Sequence, residues 1–524
     1  MPIRRLAGDF RSLWAVEACL LPTVSRLFAD RRFHASLLAM MALFALFAKL
    51  HQGDLAGYDA AVYAHEGKQM LATGRWETVY LNGQPDFDKP PMFVWLEAAS
   101  MWIFGVSDFA ARFPSALLGF GTILLVFALA RRLSDSYWLP IWAMLILMTT
   151  QTFMRFGMRA MTDAPFAFFF TLGLLLYLKG IEQARWFPGF GLALGAAILM
   201  RSFLGLIPLG IALAHMAMSG RMALLRSKCF LAGVALAIGI PLWWFIFQYR
   251  IFGDLFLARH FSFTYDNLPL TNGKRLWQFG AGLVQYPRML LETYWPWFPL
   301  MAVGLSVQVR KMIRERDSTG SLLVLWIVGV LLPFSFAEFK WLRYILPVFP
   351  AFAILAASTL DAWLSPRYRA GFLKAAYLIL FLAMAAMWVN PKYRDRPEEM
   401  RRLAPLAESA TRPDQKIQLY TERRPRDAHL FQVIWYANRQ CELRENFNAV
   451  LGQLEGAPGT AAAITDKEIF HAVIGRNAAA HPGIRVLGET ERFVCWTSSA
   501  PALRAEAEGA PKSTASQGGP NGTF

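Results

Sequence analysis

Long apolar runs alternate with short polar connections along most of this chain. Runs long enough, or nearly long enough, to cross a bilayer fall near 35–50, 112–130, 136–153, 163–178, 187–200, 203–218, 229–247, 293–308, 320–337, 344–360 and 371–389. About eleven runs of this length predict a mostly α, polytopic helical membrane domain of about 11 to 13 spans over residues 35–389. The polar stretch Gly57 to Pro91, GYDAAVYAHEGKQMLATGRWETVYLNGQPDFDKPP, interrupts the pattern inside a loop covering 51–111. Within it, residues 60–71 read as a short helix lying on the membrane, with Asp59 at the N-cap position and Gly74 just past the end. Met92 to Phe104 is a second apolar piece, opened by the Pro90-Pro91 break and closed by Gly105; its shortness reads as interfacial, and a span there would flip the topology, against which the alternating basic loops argue.

After residue 390 the pattern changes to short runs that read as strands (IQLYT, VIWYA, AAAIT, RFVCWT) among polar helix-like segments. This predicts a small soluble α/β domain over 390–504, followed by a Gly, Ser, Pro and Ala rich tail, 505–524, with the composition of disorder.

Composition sharpens the membrane reading. Of 524 residues, 55% are hydrophobic and only 17% charged, and mean hydropathy is +0.33, too apolar for an ordinary soluble protein. The formal net charge of +16 would suit nucleic acid. However, the basic residues sit in short connections between apolar runs, where orientation in a bilayer requires them, so nucleic acid is not an expected partner. The basic arm 1–34 (Arg4, Arg5, Arg11, Arg26, Arg31, Arg32), then Arg131 with Arg132, Lys179 with Arg185, Arg221 with Arg226 and Lys228, the run from Arg310, and Arg367 with Arg369 recur at every second connection. These predict a cytoplasmic N-terminus and a C-terminal domain outside a bacterial inner membrane, in the periplasm. Cys19 and Cys229 fall on the cytoplasmic side, whereas Cys441 and Cys495 share the exported domain, where either a disulfide or two buried thiols fits.

The predicted spans carry few ionisable residues, His215 and Lys374 being the conspicuous ones. A transporter, or a polyprenyl-lipid flippase with an outer sensor domain, needs polar groups along a route between spans. Here the polar groups gather at the outer span ends instead: the acids Asp59, Asp86, Asp88 and Asp163, and the donors Lys89, Arg155, Arg159, Arg201, Arg259, His260, Lys340, Arg343 and Tyr344. A carboxylate can take a proton from an acceptor hydroxyl while converging cations stabilise a phosphate leaving group, which suits group transfer from a lipid phosphate. Blander roles stand beside these. Asp59 and Asp163 both occupy N-cap positions, Lys340, Arg343 and Tyr344 suit interfacial anchoring, and His260 suits interfacial packing.

The run D-A-A-V-Y-A-H-E-G-K-Q-M-L from Asp59 resembles a signature of the GT-C membrane glycosyltransferases, in the group of the lipid A aminoarabinose transferases and protein O-mannosyltransferases. The similarity continues through L-N-G-Q-P-D-F-D-K-P-P at 81–91, F-G-V-S-D-F-A-A-R-F-P-S at 104–115, M-T-D-A-P at 161–165 and Y-I-L-P-V-F-P-A at 344–351. It implies a GT-C helical domain with interfacial helices and a C-terminal α/β domain. It also implies transfer of a sugar from a polyprenyl-phosphate donor, with no nucleotide, to a glycolipid or protein acceptor. By position it implies that Asp59 and Asp163 are catalytic carboxylates, Asp59 as the general base, that Asp88 is the metal-or-acceptor acid, and that Lys89, Arg201, Lys340, Arg343 and Tyr344 bind the donor phosphate; His260, one of the outward cations, is a further candidate for the phosphate. Asp59 with Asp88 is a candidate pair for a divalent cation. Ala60 stands where the group has glutamate, Val62 where it has arginine, and Arg201 where it has the lysine of a T-K-G-P-like turn.

Overall fold

The computed structural model describes residues 30–55, 57–267, 275–315, 318–337, 339–389, 398–423, 426–456, 458–475, 481 and 483–498. Most of the basic arm, with Arg4, Arg5, Arg11 and Arg26, together with Cys19, Glu338 and the tail 505–524, lies outside them. The chain divides into two compact units, Met1–Pro397 and Glu398–Phe524.

The first unit is helical: α1 (Arg31–Phe47), α2 (Tyr58–Thr73), α3 (Met92–Phe104), α4 (Asp108–Leu133), α5 (Leu139–Thr149), α6 (Gln151–Gly157), α7 (Asp163–Glu182), α8 (Phe187–Arg201), α9 (Ile207–Met218), α10 (Lys228–Phe252), α11 (Asp254–Asn267), α12 (Arg275–Thr293), α13 (Trp297–Glu315), α14 (Ser318–Ser335), α15 (Phe349–Trp363) and α16 (Pro366–Val389). All eleven apolar runs lie on helices. Yet among the described residues only six helical stretches are long and apolar enough to cross a membrane, fewer than the 11 to 13 spans expected, and one of the six joins two predicted runs across Ala184–Met218. Length accounts for α5 and α14, which are apolar but have 11 and 18 residues, while about 20 are needed to span hydrocarbon unaided; α13, with 19 residues, ends in Arg310, Lys311, Arg314 and Glu315.

Local chemistry sets the helix ends. Ser107 caps α4 by accepting from the Ala110 amide at 3.2 Å, and Arg131 and Arg132 occupy its last turn, where cations complement the helix dipole. Proline opens α5, α8, α9 and α15 near their first positions, where its missing N–H costs nothing. Helices α8 and α10 touch backbone to backbone: a Cβ on Gly191 would lie 1.9 Å from the Gly233 carbonyl oxygen. Large buried rings such as Trp142, Phe153, Phe170, Trp326 and Phe349 fill the core.

The second unit holds a five-stranded sheet of order β4-β3-β5-β7-β6, with β3 (Ile417–Tyr420), β4 (Cys441–Leu443), β5 (Ala462–Asp466), β6 (Ile484–Glu489) and β7 (Phe493–Ser498). The short hairpin β1 (Tyr80–Leu81) and β2 (Gln84–Pro85) belongs to the first unit. Strand β3 runs parallel to β4 and β5, and β7 antiparallel to β5 and β6. Alternation puts Ile417 and Leu419 on one face with Leu403 and Val433, and Tyr420 on the other with Phe447 and Trp496. VIWYA, expected as a strand, falls largely in the helix Arg426–Tyr436, because Val433 and Ile434 pack on the sheet as a helical stripe. Cys441 and Cys495 are free and buried on β4 and β7, which two other strands separate.

Candidate active site in the helical unit

Three helix ends, the loop ahead of α3 and a 3-10 turn bring the polar residues together. Arg112 of α4, 2% exposed, donates to the carbonyls of Leu50, Gln52, Gly53 and Asp54 at 2.6–2.9 Å. This pins the chain that leads to Gly57, whose φ of +92° turns it into α2. Gly57, not Asp59, is the N-cap, so Asp59 sits in the first turn with its carboxylate aimed elsewhere. One turn further, Tyr63 receives a hydrogen bond from the Lys89 ammonium, which also lies 4.7 Å over its ring. Lys89 belongs to the loop ahead of α3, where the Asp86 carboxylate accepts from the Asp88 amide at 2.9 Å.

Opposite these, Ser115 donates to the Met161 carbonyl at 2.9 Å and fixes the turn before α7. Thr162 is the N-cap of α7 without a side-chain capping bond, and the Asp163 carboxylate pairs with Arg201, Oδ1 to Nη2 at 2.5 Å. The Arg201 Nε also donates to Thr162 Oγ1 at 3.1 Å, at the end of α8, where Ser202 takes a φ of +54°. Arg343, in a 3-10 turn over Leu342–Val348, pairs with Asp59 and lies over the rings of Trp341 and Tyr344. Trp326 holds that turn by donating to the Pro347 carbonyl at 2.9 Å.

These groups border one cavity of ≈ 360 Å³. Asp59, Asp88, Lys89, Asp163, Arg201, His260, Arg343 and Tyr344 all line it, continuous with an apolar wall of Phe203, Leu204, Pro333, Phe334 and Phe339. Burial pushes the Asp59 carboxyl up, but Lys89, Arg343 and Arg201 outweigh it and hold the pKa below the ordinary carboxylate value. Burial pulls the Lys89 ammonium below its ordinary value, with Asp59 the main opposing charge.

Two of the expected phosphate ligands have protein partners of their own. Lys340 does not border the cavity, and its ammonium donates to the Ala337 carbonyl within its own turn. His260, 3% exposed, has both ring nitrogens engaged, Nδ1 with the Phe87 carbonyl at 2.7 Å and Nε2 with Ser202 at 3.1 Å. It therefore braces two loops; burial lowers its pKa, which suits a neutral ring. The pair Asp59 and Asp88 does not suit a divalent cation: Asp59 is taken by Arg343, and among the described residues no group of three His, Cys, Asp or Glu is arranged around an ion. Tyr58, Tyr63 and Thr162 were missed, although Tyr63 stands four residues after Asp59, on the same helix face.

Residues 88–245 match the family model described as dolichyl-phosphate-mannose-protein mannosyltransferase. The chain is 32% identical over 313 residues to the undecaprenyl phosphate-alpha-4-amino-4-deoxy-L-arabinose arabinosyl transferase of Edwardsiella ictaluri, covering 57% of this chain and 54% of that protein. It thus spans about half the length of that curated relative. Its structure is similar to ArnT from Cupriavidus metallidurans bound to undecaprenyl phosphate, with TM-score 0.66, 19% identity, and coverage of 88% of this chain and 97% of that one. It is also similar to the archaeal oligosaccharyltransferase AglB from Archaeoglobus fulgidus in complex with an inhibitory peptide and a dolichol-phosphate, with TM-score 0.52, 14% identity, and coverage of 86% and 71%.

Proposed function

We infer that this chain, a membrane protein with the GT-C glycosyltransferase fold, moves a sugar from a polyprenyl-phosphate donor to a glycolipid such as lipid A, or to another envelope acceptor. The observation that carries the reading is the junction, in one cavity, of three cations with an apolar wall. Lys89, Arg201 and Arg343 suit a phosphate, and Phe203, Leu204, Pro333, Phe334 and Phe339 suit the first isoprene units of its lipid. Tyr344, stacked on Phe334 at 5.7 Å between ring centres, marks where the polar and apolar parts meet.

In this reading an acceptor hydroxyl attacks the anomeric carbon from the face opposite the phosphate, and configuration inverts. The bond from that carbon to the phosphate oxygen breaks, with its electron pair going to polyprenyl phosphate. The cations stabilise the growing charge on the leaving group, and a cavity carboxylate takes the hydroxyl proton. Orientation follows from the basic loops: the N-terminus is cytoplasmic, while loop 51–111 and the second unit lie on the periplasmic face of the inner membrane.

The test is envelope lipid mass spectrometry with and without this chain, joined to transfer by purified protein in nanodiscs. A deletion strain should accumulate a sugar-linked polyprenyl phosphate and lose one glycosylated envelope species, and the pure protein should release one polyprenyl phosphate per sugar transferred. Accumulation confined to the inner leaflet, with no transfer by the pure protein, would identify a flippase instead.

A further inference from the structure

Three carboxylates line the cavity, and two already hold arginines. Asp59 is ion-paired with Arg343, and Asp163 with Arg201. Asp88 differs. Its loop is fixed on both sides, by the Asp86 carboxylate on its own amide and by His260 on the preceding carbonyl. Yet its carboxylate makes no hydrogen bond or ion pair among the described residues. It borders both the main cavity and an adjoining pocket of ≈ 30 Å³ walled by Asp59, Glu66 and Asp86, room for about one water molecule.

We propose, resting on the transfer reading above, that Asp88 and not Asp59 is the base that takes the proton from the acceptor hydroxyl. A carboxylate whose lone pairs accept from a guanidinium is a poor proton acceptor, because taking the proton breaks the ion pair. An unengaged carboxylate on a fixed loop has neither handicap. In the step, the acceptor oxygen bonds the anomeric carbon, the phosphate leaves with the electron pair of the broken bond, and the hydroxyl proton moves to an Asp88 oxygen. Water in the small pocket then carries it away. Asp59 becomes the positioning residue for Arg343.

The electrostatics agree. The groups facing Asp88 are Asp86 on its own loop, Asp59 and Glu66 on α2, and Arg259 on α11. Asp88 is exposed, yet desolvation, then Asp86, then Asp59 push its carboxyl up to about 6, with Arg259 opposing, whereas Asp59 is held low. A base that titrates near the working pH is the more effective one.

The experiment is single-turnover transfer by the full chain in nanodiscs, from pH 5 to 9, with a synthetic undecaprenyl-phosphate-linked pentose and envelope lipid extract as acceptor. The wild-type rate should fall with decreasing pH through about 6, as Asp88 takes up a proton. Asp88→Asn should slow transfer by about 10²–10⁴-fold, abolish that acid limb and leave the donor KM nearly unchanged, whereas Asp88→Glu should restore the limb. Asp59→Asn should slow transfer and keep the limb. If transfer proceeds and Asp88→Asn keeps both rate and limb, or Asp59→Asn removes the limb, the assignment is overturned and the transfer reading stands. A wild-type chain that turns over none of a panel of polyprenyl-linked sugars overturns both.

Discussion

Breaking the Asp163–Arg201 pair is the sharpest energetic test of how the cavity is held. Both side chains are nearly out of solvent, 0% and 8% exposed, so neither charge can be rescued by water if its partner is removed. Removing one member of a buried pair costs about 3–5 kcal/mol, mostly from the charge left behind. Arg201→Met strands the Asp163 carboxylate and frees Thr162; Asp163→Asn strands a guanidinium near Lys89 and Arg343. Asp163→Asn with Arg201→Met removes both charges and should be less damaging than either single change. The assay is the half-life of folded protein in nanodiscs at fixed temperature, followed by tryptophan fluorescence. At about 1.4 kcal/mol per tenfold in rate, a cost of about 3–5 kcal/mol lets each single variant unfold up to roughly a hundredfold to a few thousandfold faster. The double variant should recover much of that loss, whereas damage equal to the sum of the two singles would show the residues are not coupled and refute the reasoning.

Other perturbations separate scaffold from chemistry. Gly205→Ala should lower folded yield and cost about 1–3 kcal/mol, because its Cβ would meet backbone atoms of Ile198 and Ala197 at 2.3 and 2.5 Å. Gly210→Ala, with nothing within 4 Å, is the matched control. Arg112→Met leaves the carbonyls of Leu50, Gln52, Gly53 and Asp54 without that donor, at about 1–3 kcal/mol for each group left buried and unpaired; limited proteolysis within 48–57 should accelerate. Burial, then Asp86, hold the Glu66 carboxyl well above its usual range. Its contribution is therefore full below the unfolded carboxyl pKa and is lost as pH rises through the raised folded one. Glu66→Gln should match wild-type thermal stability in acid and exceed it in alkali; equal pH profiles would count against a buried protonated Glu66.

Which parts were legible in the amino-acid pattern follows from what one-dimensional patterns encode. Apolar runs locate helices, because a helix in an apolar environment satisfies its own backbone; they do not say whether a run of 11 residues such as α5 spans the membrane or stops inside it. VIWYA was misread because β-branched and aromatic residues favour strands only weakly, and packing against the sheet overrides that preference. Asp59 and Asp163 were legible as special but not as ion-pair partners, since Arg343 lies 284 residues from Asp59 and Arg201 lies 38 from Asp163. Lys340 and Arg343 look equivalent in sequence, three residues apart. The 3-10 turn separates them, sending one side chain into the cavity and the other to its own backbone.

The charge balance of the cavity bears on how the site would work. Its lining holds three carboxylates, Asp59, Asp88 and Asp163, against three cations, Lys89, Arg201 and Arg343. In the proposed transfer, a sugar-polyprenyl phosphate, a diester with one negative charge, would compete with Asp59 and Asp163 for the arginines. Ground-state binding is thereby weakened. When the sugar departs, the released phosphate monoester carries nearly two charges at neutral pH. The arginines then gain more from the phosphate than they give up from the aspartates, so the same ion pairs that weaken donor binding favour the transition state. Neutralising one pair, as in Asp59→Asn, should therefore tighten binding of polyprenyl phosphate itself at equilibrium by freeing Arg343, even as transfer slows. If instead that substitution weakens phosphate binding measured by calorimetry, Asp59 is holding Arg343 in place more than it is competing for it, and the balance of charge is not what limits donor affinity.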